Sequence, residues 1–486
     1  MALTFYWHDY ETWGIDPRRD RASQFAGIRT DADLNIIGKP LVQYCKPADD
    51  MLPHPEACLV TGITPQHAQA NGVSEAEFFQ AIHKEMATPG SCSVGYNNIR
   101  FDDEFTRYGL YRNFFDPYAR EWQNGNSRWD IIDVVRLTRA LRPEGIEWPT
   151  KEDGVTSFRL EELTQANGIE HADAHDALSD VYATIAMAKL IKERQPRLFE
   201  HQLKMRNKRM VAEQLNVTAK QPVLHVSSKY PARDGCIAMV APLVNHPTNK
   251  NSVVVYDLRV DPTPLIELDA EEIKQRVFTA QADLPEGVER IPLKEVHINK
   301  CPVVVPINTL TSAAADEWQI DVAQAEQHLE MIRQSGLEAK IQQVFRAQEF
   351  PPITDPDQAL YGGGFFSDAD RRLMDFVRTT PVAELADLNL DFVDDRLPEM
   401  LFRYRARNWP ESLSADEQRS WDEFRHDRLT NPQADVGITL DDYRSRLAKL
   451  MVDPELGERE RGILSELADW PEQVLGNRAE GRGKPA

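Results

Sequence analysis

Apolar and polar positions change their spacing twice along the chain, giving three stretches of different texture. In the first stretch, strand-like runs alternate with helix-like ones. LTFYWHDYE (3–11) predicts a strand, and Gln24 to Arg29 predicts another. AEFFQAIHKEM (76–86) predicts a helix, SCSVGYN (91–97) a strand and turn, and FDDEFTRYGLYRNFF (101–115) a second helix. RWDIIDVVRLTRAL (128–141) carries Ile131, Val134, Val135 and Leu141 at helical spacing. SFRLEELTQANGI (157–169) predicts a helix ending near Gly168. DALSDVYATIAMAKLIKERQP (176–196) predicts a long helix stopped at Pro196. Strands alternating with helices argue for an α/β layer.

The texture then changes. A basic run, KMRNKRM (204–210), marks a boundary. Beyond it lie short β-branched runs, PVLHVSS, CIAMVAPLV, SVVVYDLRV and HINKCPVVVPIN, separated by Pro, Asn, Asp and Gly, as in a small barrel or sheet. EQHLEMIRQSGLEAKIQQVFRAQEF (326–350) predicts helices, and PPITDPDQ (351–358) is the second boundary. The rest is helical, with Ser367 and Asp370 reading as a helix N-terminus and further helices in RSWDEFRHDRL and LDDYRSRLAKLM. The expected division is an α/β domain over 1–195, a β-rich domain over 196–352, a helical domain over 353–476 and a disordered tail over 477–486.

At 486 residues, the chain is long enough for several domains. No apolar run is long enough to span a bilayer, and the N-terminus has no basic region preceding an apolar one, so neither a membrane span nor a signal peptide is expected. Five cysteines without a C-x-x-C pair argue against a disulfide framework or a zinc site and suit a reducing cytoplasm. The net charge of −22 argues against a protein that coats duplex DNA, since phosphate neutralisation needs a basic surface. It leaves room for a nuclease whose acids hold metal ions and whose arginines line one groove.

Three fragments carry chemistry. Asp9 and Glu11 sit at i and i+2 of a strand and face the same way. Two such carboxylates repel unless a cation joins them, and Mg²⁺ prefers oxygen ligands of this kind. Asp102 lies near the start of a helix after Phe101, with the adjacent Asp103 as an alternative. His175 and Asp180 lie at the start of the long helix, with Asp176 competing for the role of Asp180 because it shares a face. A histidine beside a metal cluster can take a proton from water.

The ordered set of D-x-E on the first strand, then F-D, then H-x4-D resembles the DEDDh exonuclease superfamily. HDYETWG, DRASQFAGIRTD, TGITP, GYNNIRFDDEFTR, ALRPEGIEWP and AHDALSDVYATIAMAKLI, followed by HINKCP, YGGGFFSDADR and LFRYRARNWP, are similar to the bacterial exonuclease I family over nearly the whole chain. The resemblance implies a ribonuclease-H-like catalytic domain, an SH3-like second domain and a helical third. It implies a 3′→5′ exodeoxyribonuclease that degrades single-stranded DNA to 5′-mononucleotides and serves DNA repair and recombination. Asp9, Glu11, Asp102 and Asp180 would hold two Mg²⁺ ions, with Mn²⁺ a possible substitute, and His175 would be the general base.

Substrate contacts are expected from Glu11, Arg107, Tyr118, Trp122, Arg136 and Arg159. Arg107 follows Asp102 by five positions, and aromatic rings can stack on bases. The loops His246 to Asn251 and His297 to Lys300 are weaker candidates for facing phosphate. The implied partner is the acidic C-terminal tail of single-stranded-DNA-binding protein, with Arg142 a contributor. The expected state is a monomer. The competing readings are an RNA 3′ exonuclease and a catalytically silent scaffold that binds single strands.

Overall fold

The aromatic run at the N-terminus forms β1 (Thr4–Thr12), followed by β2 (Ala22–Thr30), β3 (Ile36–Tyr44) and β4 (Ser91–Gly95). These four strands lie in the order β3-β2-β1-β4. β1 pairs antiparallel with β2 and parallel with β4. This computed structural model describes residues 3–171, 176–346 and 352–476, so His175 and the tail expected over 477–486 lie outside the described residues. β3 was not expected. Most of its residues are exposed, so it lacks the half-buried alternation that signals a strand. It lies at the sheet edge, against β2.

β1 is central because both of its faces are covered. Tyr6 and Tyr10 join Phe25, Phe78 and Phe79 in one aromatic cluster, the Tyr10 and Phe25 ring centroids being 4.8 Å apart. Phe5 and Trp7 are fully buried on the opposite face, which is also the face of Asp9 and Glu11 by the period-2 rule. The helix Glu75–Met86 follows as expected and starts with a capping box between Ser74 and Glu77.

The chain forms two compact units. One comprises Met1–Ser127, His171–Tyr182 and Pro351–Ala486, and the other Arg128–Glu170 and Ala183–Phe350. The C-terminal helices thus share a unit with the first four strands. Their helix N-terminus at Ser367 is as read: its hydroxyl accepts the Asp370 N–H at 3.0 Å. Trp13, Leu52 and Cys58 pack with Tyr443, Leu464 and Leu467, and Tyr108, Tyr111 and Phe114 with Met374, Leu397 and Tyr404.

A buried ion ladder ties the same parts together. Arg407 reaches Asp50 at 2.7 Å and Asp357 at 2.5 Å. Arg403 pairs with Asp355 at 2.7 Å and Asp357 at 3.0 Å. Arg428 pairs with Asp355 at 2.6 Å. Burial alone would raise the Asp50 and Asp357 carboxyls, but the guanidiniums, Arg407 foremost, reverse this and hold both below the usual carboxylate range.

The second unit contains Arg128–Asp130 of β5 (Ser127–Asp130) and a five-stranded antiparallel sheet of β6 (Val223–Val226), β7 (Ile237–Asn245), β8 (Ser252–Asp257), β9 (Leu293–His297) and β10 (Val303–Pro306), in the order β10-β6-β7-β8-β9. Ile237, Met239 and Ala241 belong to one core, and Ala238 and Val240 to another. Burial on both faces explains why these strands read as continuous apolar runs.

Three local expectations are corrected. RWDIIDVVRLTRAL is not helical throughout. Arg128–Asp130 are strand, and the helix Ile131–Leu141 starts after Asp130, whose side chain accepts the Ile132 N–H. Pro196 ends one helix but is also the first residue of the next, Pro196–Lys204, where its missing N–H costs nothing. HINKCPVVVPIN (297–308) holds the last residue of β9, a turn in which Cys301 takes a positive φ of 47°, and β10. No disulfide joins the five cysteines, all of them buried.

Candidate active site

The expected carboxylates converge in the first unit. Asp9, Glu11 and Asp180 each place a carboxylate oxygen within 4.8 Å of the others. β1 aligns the first two, and the first turn of the helix Ala177–Arg194 supplies the third. Asp102 opens the helix Asp102–Arg112, and its Oδ1 accepts the Tyr10 backbone N–H at 3.1 Å. The parallel register of β1 with β4 ends at Trp7 and Val94. The Tyr10 N–H thus lies beyond the ladder, and the carboxylate caps it. This contact pins Asp102 to the middle of the D-Y-E triplet.

The two alternatives left open by the sequence are separated by their partners. Asp103 is fully buried against Arg120 at 2.6 Å, a structural ion pair. Asp176 Oδ2 accepts the Ser179 N–H at 3.1 Å, capping the helix that Asp180 enters.

Burial raises the Asp9 carboxyl well above its ordinary value, and Asp102, Glu11 and Asp180 add to the effect. Glu11 is pushed up to about 9, first by burial and then by Asp180, Asp102 and Asp176. The neighbours that act most strongly on both are carboxylates. A buried set of hard oxygen donors crowded by like charge fits a divalent cation, which supplies the missing positive charge.

His175 lies outside the described residues. The histidine brought to the cluster is His171, with Nε2 2.5 Å from Asp180 Oδ1. The sequence reading passed over it, and the only signal for it was a second histidine in HADAH. Gln24 was also missed. It pairs in register with Glu11 across β1 and β2, a placement that needs the strand pairing.

The expected substrate residues are scattered. Arg107 is buried rather than open. It forms a two-point pair with Glu121 at 2.7 and 2.9 Å and a further one with Glu104 at 2.7 Å, and it lies 5.4 Å from the Tyr118 ring centroid. Trp122 is 65% exposed, and nearby in the chain's first unit Phe365 is 81% and Tyr361 54% exposed. Tyr118 lies edge-on to Phe365 at 5.8 Å. Arg136 and Arg159 belong to the second unit. Arg136 pairs with Asp133 at 2.8 Å and lies over Phe158, while Arg159 has 70% of its side chain exposed. Arg142 donates to the Thr309 carbonyl at 3.1 Å. His246 accepts backbone N–H groups from Thr248 and Asn249 through Nδ1, closing its own loop.

A sheet carrying D-x-E on a central strand, with further carboxylates supplied by two helices, defines an exonuclease of the ribonuclease T type. Residues 6–188 match the model of that exonuclease family, residues 206–347 the exonuclease I SH3-like domain, and residues 354–474 the exonuclease I C-terminal domain. The chain belongs to the exonuclease I family. It is 47% identical to exodeoxyribonuclease I of Escherichia coli, over 97% of this chain and 98% of that one. The structure resembles an exonuclease I from Methylocaldum szegediense with a TM-score of 0.94 at 53% identity, covering 98% and 100% of the two chains. It also resembles E. coli exonuclease I solved with a dA16 oligonucleotide, again with a TM-score of 0.94, at 47% identity over 97% and 100%. Among the described residues, no helix is long and apolar enough to cross a membrane.

Proposed function

We propose that this protein is a 3′→5′ exodeoxyribonuclease that hydrolyses single-stranded DNA to 5′-mononucleotides. The observation that carries the chemistry is the convergence of Asp9, Glu11 and Asp180, with Asp102 fixed to the backbone between the first two. These four side chains are the ligands for two divalent ions, Mg²⁺ being the expected species because the donors are all carboxylate oxygens. When bound, such ions supply the charge and Lewis acidity that phosphodiester hydrolysis requires. His175, by its place in H-x4-D, takes the proton of the attacking water. Burial of Glu11 and Asp102 excludes bulk water from the inner side of the cluster and keeps the electrostatics strong.

Strand holding is assigned to Trp122 and Tyr118, which can stack on bases, to the exposed Arg159, and to Glu11, Arg107 and Arg136. The exposed Phe365 and Tyr361 extend this aromatic surface. The domain division is 1–195, 196–352 and 353–476. The partner is the acidic tail of single-stranded-DNA-binding protein, and the protein works as a cytoplasmic monomer in repair and recombination. Matches to the exonuclease I SH3-like and C-terminal domains after the exonuclease domain favour this reading over a single-domain RNA exonuclease.

The test incubates the protein and Mg²⁺ with single-stranded DNA labelled at its 5′ end, beside matched duplex and RNA and an EDTA control. The expected result is mononucleotide release from the 3′ end of the DNA strand, abolished by EDTA. Equal digestion of RNA would overturn the substrate assignment, and binding without cleavage would leave a silent scaffold.

A further inference from the structure

Outside the acidic cluster, the first unit contains a second polar cleft of about 500 Å³, within the size range of small-ligand sites, about 300–1,000 Å³. One wall is the helix Pro65–Asn71 with the turn before it, and the other is the helix Glu458–Leu475. Gly62 and His67 also line a smaller cavity of about 190 Å³ that ends on Gln24 and Asp176. Gln24 is the register partner of Glu11, and Asp176 lies one helical turn before Asp180, its carbonyl accepting the Asp180 N–H at 3.0 Å. Because they share Gly62 and His67, the two cavities adjoin and together line a path from Gln24 and Asp176 to the outer cleft.

The path changes charge along its length. Its inner end is carboxylate. At its outer end stands Arg459, an exposed residue with neither an ion pair nor a side-chain hydrogen bond among the described residues. The guanidinium lies directly over Gly62. A Cβ there would come within 2.2 Å of Arg459 Nη2, and the φ of +72° also disfavours any side chain. Glu466, the carboxylate of this cleft, is already engaged as the acceptor of the Thr64 hydroxyl at 2.6 Å. His67 stands edge-on to Tyr44, 4.8 Å between centroids.

We propose that this cleft is a holding site for the released deoxynucleoside 5′-monophosphate, whose phosphate is bound by Arg459. The assignment rests on the activity proposed above, since that reaction generates an anionic mononucleotide beside Asp176. An anion leaving a cluster of carboxylates is drawn to a cation without a carboxylate partner beside its exit, and a guanidinium grips phosphate through two N–H groups.

The test is equilibrium dialysis of labelled dTMP against the full chain in EDTA, where any metal-dependent binding at the acid cluster is lost. Wild type is expected to bind dTMP, and Arg459→Ala to bind it about tenfold more weakly, with partial recovery in Arg459→Lys. Arg459 is exposed, so the variant should fold normally, which a thermal melt checks. Inhibition of steady-state digestion by added dTMP should weaken by a similar factor in Arg459→Ala, while its single-turnover cleavage rate stays unchanged. The proposal is overturned if wild type binds no dTMP in EDTA, or if Arg459→Ala binds it equally well. It is also overturned if thymidine binds as tightly as dTMP, or if inorganic phosphate competes as strongly, which would mark a generic anion site. Failure to digest DNA at all would instead sink the activity reading, and the dialysis would still report on the cleft.

Discussion

The first unit buries carboxylates in two places and treats them in opposite ways. In the ladder of Asp50, Asp355 and Asp357, each acid meets at least two guanidiniums from Arg403, Arg407 and Arg428, and Asp50 and Asp357 are held below their ordinary range against the pull of burial. In the cluster of Asp9, Glu11, Asp102 and Asp180, burial and like charge act together, and Asp9 and Glu11 are raised. The same residue type is a fastening in one place and a candidate binding site in the other. The difference lies in whether the protein itself supplies the counter-charge. Acids whose strongest neighbours are other acids, as for Asp9 and Glu11, mark where an external cation fits.

That contrast can be broken most directly by removing one member of each set. Asp9→Ala should lower the cleavage rate by about three orders of magnitude or more and spare single-strand binding. Cleavage that survives unchanged would show that the cluster is not the catalytic centre. In the ladder, Arg407→Ala should leave Asp50 and Asp357 buried without their main partner, at a cost of about 3–5 kcal/mol in stability. Denaturant unfolding measures it, and a loss below ~1 kcal/mol would reduce the ladder to a set of weakly coupled pairs.

Neutralisation at the acid cluster should have the opposite sign. In EDTA, Glu11→Gln should raise stability by about 1–3 kcal/mol near pH 8, because Glu11 must take up a proton to fold at that pH and Gln need not. A drop there would mean that the cluster is already neutralised by groups of the protein.

The smallest effect is the pH dependence that separates the two sets. Glu11 has a folded value near 9 against 4.5 unperturbed, so its contribution to stability is present at low pH and is lost as pH rises through that interval. The melting temperature in EDTA should therefore fall between about pH 5 and pH 9 from this source, and added Mg²⁺ should raise it more at pH 8 than at pH 6. Asp50 and Asp357 have depressed values. Their contribution is present above the unfolded carboxylate range and is lost only as acidity carries them through their folded values. A Mg²⁺ effect independent of pH would dissolve the distinction.

Much of this was legible in the sequence because it depends on local rules. Asp9 and Glu11 share a face through the two-residue strand period. The strands of the second unit were visible from their continuous apolar runs, and the helix at Ser367 from its cap. β3 escaped because its exposed residues carry no burial pattern. Pro196 was read only as a stop, since the residues that make it the start of another helix act on the far side of it.

The sequence by itself determined the order of the carboxylates, the family motifs that carry them and the three textures along the chain, because these follow from side-chain chemistry and short-range periodicity. Only the tertiary structure gave Asp102 the Tyr10 backbone N–H and Asp103 the Arg120 guanidinium. It alone brought His171 to Asp180 and enclosed Arg107 between Glu104 and Glu121. It also joined the C-terminal helices to the first strands through Arg407 and Asp50. The physical reason is the range of the forces involved. Which buried charge finds a partner depends on residues far apart in the chain, and no local pattern records who that partner will be.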